Sequence, residues 1–285
     1  MRKAFVILAL IGSCFIAGCQ SKPAKHYSIE AIVISADPAK KLIIVKHGDI
    51  PGLMPGMTMT YEVADPHQIE VLQPGDKISA DLVVSENVGR LEKIQLLSKG
   101  EGKLAPGTSQ RIPQKGDDVP DFALMNQDGK LIHLHDFRGK TLLVTFIYTR
   151  CPLPDFCPRM NENFRAVQKL LASTPDATQR VVFLSISFDP KSDTPAVLKH
   201  YGSIYKKSAP GEPAFPWQFA APSEKDLPEV AQFFGLVYQP DGAQIVHSLS
   251  TTLIGPDGKV VEWYSGNDWS TADVAQTVQG MIHQG

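Results

Sequence analysis

The stretch LLVTFIYTRCPLPDFC, residues 142–157, decides the fold of the larger half of this chain. Its first seven residues form a continuous apolar run, which is typical of a strand buried at the centre of a sheet. Two cysteines follow, Cys151 and Cys157, and then apolar residues recur at helical spacing from Met160 to Leu171. The stretch therefore predicts a central strand, a loop that carries two thiols, and a helix.

Strands and helices alternate on either side of this stretch, through residues 112–285. A second apolar run at 181–187 predicts another buried strand, and Pro195 marks the first turn of a helix. The other predicted elements are a helix at 227–234, a hairpin of 250–254 with 260–263, and a last helix from Ser270 or Thr271. This order predicts an α/β domain of the thioredoxin-like class.

The two cysteines lie where a strand passes into a helix. A helix N-terminus favours the thiolate, which is the form that attacks disulfides and binds metals. The six-residue separation would put Cys151 and Cys157 on different faces of one helix, so at least one of them lies in the loop. The pair is predicted to form a disulfide, to act as a redox-active pair, or to chelate a metal. His247 precedes the strand at 250–254, which should lie beside the cysteine strand, and it is a candidate third ligand.

Residues 26–97 show a different pattern, with short segments rich in β-branched residues separated by turn signals. The predicted strands are 27–36, 41–46, 57–63, 77–85 and 90–97. Five strands in about 70 residues predict a small antiparallel barrel of the OB type. The polar stretch 98–111 that follows has no hydrophobic period and is predicted to be an interdomain linker.

A methionine-rich segment joins the second and third predicted strands. Met54, Met57 and Met59 lie within six residues, and the spacing of Met57 and Met59 places them on one face of a strand. Thioethers are soft ligands that select Cu(I), and the imidazole of His47, at the end of the preceding strand, can complete a trigonal site. The alternative is that these methionines fill the barrel core. The prolines and glycines around the segment favour the copper site.

The N-terminus predicts export and lipid attachment. Arg2 and Lys3 precede an apolar run that is too short to span a bilayer, so residues 1–18 are predicted to be a signal peptide. The sequence Ile-Ala-Gly-Cys resembles a bacterial lipobox, which makes Cys19 the lipidation site and residues 19–25 a tether. The alternative is an ordinary signal peptide with an incidental cysteine. Lipidation would hold the chain on a membrane of the bacterial cell envelope, facing the periplasm or the outer surface.

The composition excludes several classes of protein. There are 28 Lys and Arg against 30 Asp and Glu, and the resulting net charge of −2 gives no electrostatic reason to expect a nucleic-acid partner. Four cysteines among 285 residues exclude a disulfide-dense scaffold. The hydrophobic fraction of 43% is large enough for a buried core, so we expect a folded chain.

The pattern in the N-terminal part resembles that of the periplasmic CusF-like copper-binding barrels. Those barrels place a histidine one strand before a Met-x-Met pair, as His47, Met57 and Met59 do here, and cap the metal with an aromatic ring. Met54 stands at the position of that ring. The resemblance therefore implies a Cu(I) site that lacks the cation–π cap and has a further thioether in its place.

Residues from about 112 to 285 resemble the Sco/SenC family. The matching features are the cysteine pair followed by Pro158, the segment SISFDP at 185–190 with DTP at 193–195, and His247 before IGPDG at 254–258. The resemblance implies a thioredoxin fold that binds Cu(I) or Cu(II) through two cysteines and one histidine. It also implies a role in assembling the binuclear copper site of cytochrome c oxidase, as a copper donor, a thiol reductant or both. The family's usual spacing is Cys-x3-Cys, whereas five residues separate Cys151 from Cys157 here.

Three functions fit these features: a membrane-anchored copper metallochaperone, which we favour, a dedicated thiol–disulfide reductase, and a copper buffer for metal tolerance. A peroxidase is disfavoured because Tyr148 stands where peroxiredoxins carry a threonine. As a flexible chain, the thirteen residues 98–110 of the linker span roughly 20 Å. The barrel site would then be present at about millimolar effective concentration near the second site. We therefore expect the barrel to load the second site within one molecule.

Overall fold

A computed structural model describes residues 24–54, 56–85, 88–100, 112–206, 213–241, 244–267 and 269–284. The predicted signal peptide, the lipidation site Cys19 and the greater part of the predicted linker lie outside these residues. Within the described ranges, no helix is long and apolar enough to cross a membrane.

Five strands form the N-terminal part of the molecule: β1 (Lys25–Asp37), β2 (Leu42–His47), β3 (Met57–Val63), β4 (Lys77–Ser85) and β5 (Val88–Ser98). They close into a barrel in the order β1-β2-β3-β5-β4. The prediction of an antiparallel barrel is wrong at one pair, because β3 and β5 run parallel. An odd number of strands cannot close with antiparallel neighbours throughout. The OB type stays a prediction.

Strand β2 is buried on both of its faces. Ile43 and Val45 point into the barrel core, as the two-residue period of a strand requires. Ile44 lies between them on the outer face, yet it is 0% exposed. Another part of the chain must therefore cover the outside of the barrel at this point.

The C-terminal part is built on a seven-stranded sheet in the order β14-β13-β8-β9-β10-β6-β7. Its strands are β6 (Ala123–Asn126), β7 (Leu131–His133), β8 (Thr141–Ile147), β9 (Val181–Ser187), β10 (Trp217–Ala221), β13 (Ser250–Ile254) and β14 (Val260–Ser265). The central strands β8, β9 and β10 are parallel, and every residue of β8 and β9 is buried. This confirms the thioredoxin-like arrangement expected of the two apolar runs.

Among the described residues, five α-helices, a short 3-10 helix at Leu134–Phe137 and one extra hairpin complete this part. The α-helices and the hairpin strands are α1 (Cys157–Leu171), α2 (Ala177–Arg180), α3 (Pro195–Tyr205), α4 (Leu227–Phe233), α5 (Thr271–Gln284), β11 (Tyr238–Asp241) and β12 (Gln244–His247). Thr194 caps α3 by accepting the Val197 N–H at 3.4 Å. The elements that the sequence did not predict are β6, β7, β10, α2 and the hairpin of β11 and β12.

A small apolar cluster joins the barrel to the C-terminal part. It contains Ile34 and Ile44 from the barrel, Ile112 after the connecting residues, and Val237 and Trp263 from the C-terminal part. We call these five residues the interdomain core. They account for the burial of the outer face of β2.

Candidate metal centres

Three of the residues singled out in the sequence converge in the C-terminal part. The sulfur atoms of Cys151 and Cys157 and a ring nitrogen of His247 all lie within 4.8 Å of one another. Cys157 Sγ lies 3.8 Å from His247 Nε2. Both cysteines are free thiols in the structure. The group offers two soft sulfurs and one imidazole, which is a donor set that suits copper or zinc.

The topology explains why these residues meet. Strand β8 ends just before the cysteine loop, and Cys157 is the first residue of α1. Strand β13 pairs with β8, with Thr251 opposite Thr145. His247 ends β12, three residues before β13 begins, and so it reaches the same end of the sheet. The predicted juxtaposition thus follows from the pairing of β8 with β13.

The loop before Cys151 is fixed by two aspartates. Thr149 donates from its backbone N–H and its hydroxyl to the carboxylate of Asp193, at 3.0 and 2.5 Å. Arg150 donates to the carboxylate of Asp189 at 2.6 Å. Asp193 also accepts the Ser187 hydroxyl at 2.5 Å. The segment that links β9 to α3 therefore positions the loop in which Cys151 lies.

His247 is oriented by its own backbone. Its Nδ1 donates to the carbonyl of Ser248 at 2.8 Å, because a carbonyl oxygen can only accept. The other ring nitrogen, Nε2, is left with its lone pair and faces Cys157. A backbone partner on one ring nitrogen is the usual way in which a protein sets the tautomer of a metal-binding histidine.

Three aromatic rings surround His247, and sequence reasoning did not identify them as part of the site. The ring centroids of Phe188, Tyr148 and Phe156 lie 4.7, 5.6 and 5.7 Å from that of His247. Their positions held a usable signal, since Tyr148 and Phe156 flank the cysteines and Phe188 lies in SISFDP. Such a setting keeps water away from the donor atoms and strengthens their interactions with a metal.

The pKa values of the two thiols are shifted in opposite directions. A hydrogen bond with Cys157 lowers the pKa of the Cys151 thiol well below its ordinary value, and His247 adds to the effect. Burial raises the pKa of the Cys157 thiol, which is 0% exposed. Cys151 is therefore the thiolate at neutral pH, and Cys157 keeps its proton until a metal or a disulfide replaces it.

This asymmetry predicts an alkylation rate that barely depends on pH. An ordinary thiol is protonated below about pH 8.5, so its rate rises about tenfold per pH unit. Cys151 is already a thiolate, so its rate with iodoacetamide should stay nearly constant from about pH 6 to 8. Mass spectrometry of the metal-free reduced protein measures this rate. The control is Cys157→Ala, which removes the thiol donor and raises the pKa of Cys151, so its rate should rise more steeply with pH than in the unaltered protein. A tenfold rise per pH unit in the unaltered protein would contradict the assignment.

The methionine-rich segment also forms a cluster at the barrel. The Tyr61 hydroxyl lies 3.1 Å from His47 Nε2, 3.6 Å from Met59 Sδ and 3.9 Å from Met54 Sδ. His47 Nδ1 donates to the Gly48 carbonyl at 2.7 Å, which leaves Nε2 as the acceptor of the Tyr61 hydroxyl. His47, Met54 and Met59 thus all approach the Tyr61 hydroxyl, and their role as copper ligands stays a prediction.

For Met57 the structure describes the backbone and not the side chain. It lies opposite His47 in the pairing of β2 with β3, two residues before Met59. Its side chain lies outside the described part of the structure. Its role as a ligand therefore stays a prediction that rests on this register.

Tyr61 is the residue of this cluster that sequence reasoning missed. It continues the two-residue spacing of Met57 and Met59, which was a usable signal. Burial raises the pKa of Tyr61, so its hydroxyl stays protonated and can donate. Burial also holds the pKa of His47 below its ordinary value, so the imidazole is neutral at pH 7 and able to bind a soft metal.

Two family models match the chain. Residues 110–283, more than half of the chain, match SCO1/SenC. Residues 26–96 match the copper binding periplasmic protein CusF. The two regions correspond to the parts in which the two side-chain clusters lie.

Individual relatives agree with the first match. The chain is 35% identical to the SCO1 protein homolog of Bacillus subtilis (strain 168) over 154 residues, which are 52% of this chain and 74% of that protein. It is 29% identical to the mitochondrial SCO2 homolog of Bos taurus over 51% of this chain, and it spans 53% of that relative's length. The crystal structure of a SCO1/SenC family lipoprotein from Bacillus anthracis str. Ames has a TM-score of 0.51 at 26% identity. That likeness covers 61% of this chain and 99% of the other.

Proposed function

Because the chain belongs to the SCO1/SenC family, we propose that it is a copper metallochaperone of the bacterial cell envelope. The observation that carries this proposal is the approach of Cys151, Cys157 and His247 to within 4.8 Å. Two sulfurs and an imidazole hold Cu(I), and also Cu(II) when the nitrogen ligand is retained. Copper is the cargo, and these residues would hold it through both thiolates and His247 Nε2.

The barrel is proposed as a second copper site on the same chain. His47, Met57 and Met59 would bind Cu(I), with Met54 as a further thioether. The approach of three of these four residues to the Tyr61 hydroxyl supports this reading. We divide the chain accordingly into a copper-binding barrel at 26–97, a linker at 98–111 and a Sco-like domain at 112–285.

The proposed recipient is the cytochrome c oxidase subunit that carries the binuclear copper site, as membership of the family implies. The envelope location rests on the predicted signal peptide and on Cys19 as a lipid anchor. It is also supported by the periplasmic character of the CusF family that the barrel region matches. The anchor would keep both copper sites close to a membrane-bound recipient.

A second candidate function is a dedicated reductase for the cysteines of that copper site. The opposite pKa shifts of the two thiols favour the reductase. Cys151 is poised to attack a disulfide, and Cys157 can then release the mixed disulfide. The electrons would come from the two thiols, which end as a disulfide. A copper buffer, the third candidate, requires the barrel site alone.

We also propose that the barrel delivers its copper to the Sco-like site. Thiolates are anionic and bind Cu(I) more strongly than thioethers do, so the transfer is favoured in this direction. Two sites on one chain exchange metal without having to meet by diffusion.

Copper stoichiometry tests the proposed function. The reduced chain without its signal peptide should bind two Cu(I), and the oxidised chain only one, because a disulfide removes both thiolates. Titration against a competing Cu(I) chelator measures both values. One copper in both redox states would exclude the metallochaperone and leave the reductase and the buffer. One copper that disappears on oxidation would remove the barrel site.

A further inference from the structure

The outer face of the barrel is covered at one patch. On β1, Ile32 is 42% exposed, whereas Ile34 is 4% exposed. On β2, Ile44 is 0% exposed although it faces away from the barrel core. In an isolated barrel these two isoleucines would be solvent-exposed. Their burial therefore comes from Val237, Trp263 and the other members of the interdomain core.

On the C-terminal side of this contact, hydrogen bonds fix the orientation of the Trp263 ring. The indole of Trp263 is 6% exposed, and its N–H is shared by the Phe234 carbonyl at 3.1 Å and the Ser250 hydroxyl at 2.8 Å. Phe234 and Ser250 belong to the core and the sheet of the C-terminal part. The ring that receives the barrel is therefore fixed in orientation before contact, which lowers the entropy cost of docking.

Polar contacts tie down the turn between β1 and β2. Lys40 Nζ lies 5.7 Å from the centroid of the Trp263 ring and donates to the Pro113 carbonyl at 2.7 Å. Gln114 Nε2 donates to the carboxylate of Asp37 at 3.3 Å. Apolar burial, a cation–π contact and two hydrogen bonds thus act on the same turn. The contact has the composition of an interface rather than that of a chance approach of two surfaces.

The same contact brings the two proposed copper strands together. Strand β3, which carries Met57 and Met59, lies beside β12, which ends at His247, with Cα atoms of the two strands within 8 Å. Thr58 lies between the two methionines on the outer face of β3, and it is 2% exposed. The face of β3 opposite the methionines is therefore covered rather than open to solvent.

We propose that the barrel is docked on the Sco-like domain through the interdomain core, and that this fixed contact holds the barrel centre beside the Sco-like centre for the transfer of Cu(I). This inference rests on the proposed function, since it fixes the relative position of the two centres between which the copper is transferred. It differs from transfer along a flexible tether, in which the barrel would have to find the second site at each delivery.

The transfer is a ligand exchange without a redox step. Bonds from Cu(I) to the thioethers and to His47 Nε2 break, while bonds to the sulfurs of Cys151 and Cys157 and to His247 form. The metal enters and leaves as Cu(I), and no electron moves. Cys157 loses its thiol proton to solvent when it binds, and the Tyr61 hydroxyl returns to His47 Nε2 when the barrel is emptied.

Two changes to the full chain separate docking from tethering. The pair Ile34→Glu and Ile44→Glu buries two unpaired charges in the interdomain core, so the docked state is lost while the barrel interior is untouched. The control is Ile32→Glu, on the same strand and already exposed. An insertion of twenty Gly and Ser residues between 101 and 111 lengthens the connection instead. Tethered transfer should then slow about fourfold, because effective concentration falls as roughly the −3/2 power of length.

The transfer experiment starts from the oxidised chain, in which Cys151 and Cys157 form a disulfide. The barrel of this chain is then loaded with one Cu(I). Excess phosphine then reduces the disulfide, and thiolate-to-copper absorbance follows the transfer. We expect the double variant Ile34→Glu and Ile44→Glu to slow copper transfer at least tenfold. The control Ile32→Glu and the insertion should leave the transfer rate unchanged. Small-angle scattering should show that the double variant has a larger radius of gyration than the unaltered chain, whereas Ile32→Glu does not. A fourfold slowing by the insertion with no effect of the pair would overturn docking.

Two checks keep the outcome distinct from other failures. If the unaltered chain does not bind two Cu(I), the proposed function fails rather than the docking. If the Ile34 and Ile44 pair does not fold, Lys40→Glu replaces it, since Lys40 is partly exposed and contributes to the contact but not to the barrel core. Unchanged transfer and scattering in a folded Lys40→Glu chain would then overturn docking.

Discussion

Cys157→Ser is expected to abolish copper binding at the C-terminal centre. The sulfur of Cys157 is buried, accepts the Tyr148 N–H at 3.4 Å and faces His247 Nε2. Among the residues that the structure describes, only Cys151 and His247 join it in a group that could hold a metal ion. Removing a residue that only supports a metal ligand costs 10–100-fold in affinity. Removing a ligand should therefore lower the Cu(I) affinity by more than about 100-fold, as measured by chelator competition.

The barrel provides the internal control for this variant, because it should still bind one Cu(I) per chain. His247→Ala is the companion change. It should alter the Cu(II) spectrum of the reduced protein, since it takes away the nitrogen ligand and leaves both sulfurs. An unchanged spectrum would remove His247 from the ligand set, and a Cys157→Ser chain that still binds two Cu(I) would remove Cys157.

The double change Met57→Ile and Met59→Ile should abolish Cu(I) binding at the barrel and leave the fold intact. Isoleucine keeps the side-chain volume and removes the thioether, and such swaps usually cost less than about 1.5 kcal/mol each. Without the two sulfurs, His47 and Met54 are too few soft donors to hold Cu(I) tightly. Chelator competition on the oxidised chain measures the Cu(I) affinity of the barrel alone, because the disulfide prevents copper binding at the other centre.

Met125→Ile is the matched control, because Met125 is 40% exposed and lies on β6, far along the chain from the barrel. It should bind copper as the unaltered chain does. Equal Cu(I) affinity after both barrel methionines are changed would show that they are core residues, which was the alternative interpretation of the sequence.

The elements that are buried on both faces could be predicted from sequence. Strand β9 was predicted at its observed bounds, and β8 within one residue, because a parallel central strand needs an unbroken apolar run. The start of α3 was also predicted, because proline and a threonine cap mark it together. The meeting of His247 with the cysteines followed from the expected pairing of β13 with β8.

The rest depended on contacts that no local pattern records. Strand β10 at Trp217–Ala221 has only five residues, which is too short for hydrophobic periodicity to identify it, and the hairpin of β11 and β12 pairs outside the main sheet. The linker composition predicted a mobile connection. The burial of Ile44 shows a contact between parts of the chain far apart in sequence. An outward isoleucine in a strand looks the same in sequence whether water or a second domain covers it.

The hydrogen bond from Tyr61 to His47 has a consequence for the life of the protein in the cell. In small metal-dependent domains the binding energy of the ion is the folding energy, and the empty form unfolds. Here the buried imidazole pairs with a hydroxyl, and the barrel has its own apolar core around Ile43, Val45 and Leu82, so its fold does not depend on a bound ion. Under the proposed function, delivery of the copper would therefore leave no unfolded chain for proteases to remove. One molecule could then serve through many rounds of delivery, and its abundance would not have to follow the supply of copper.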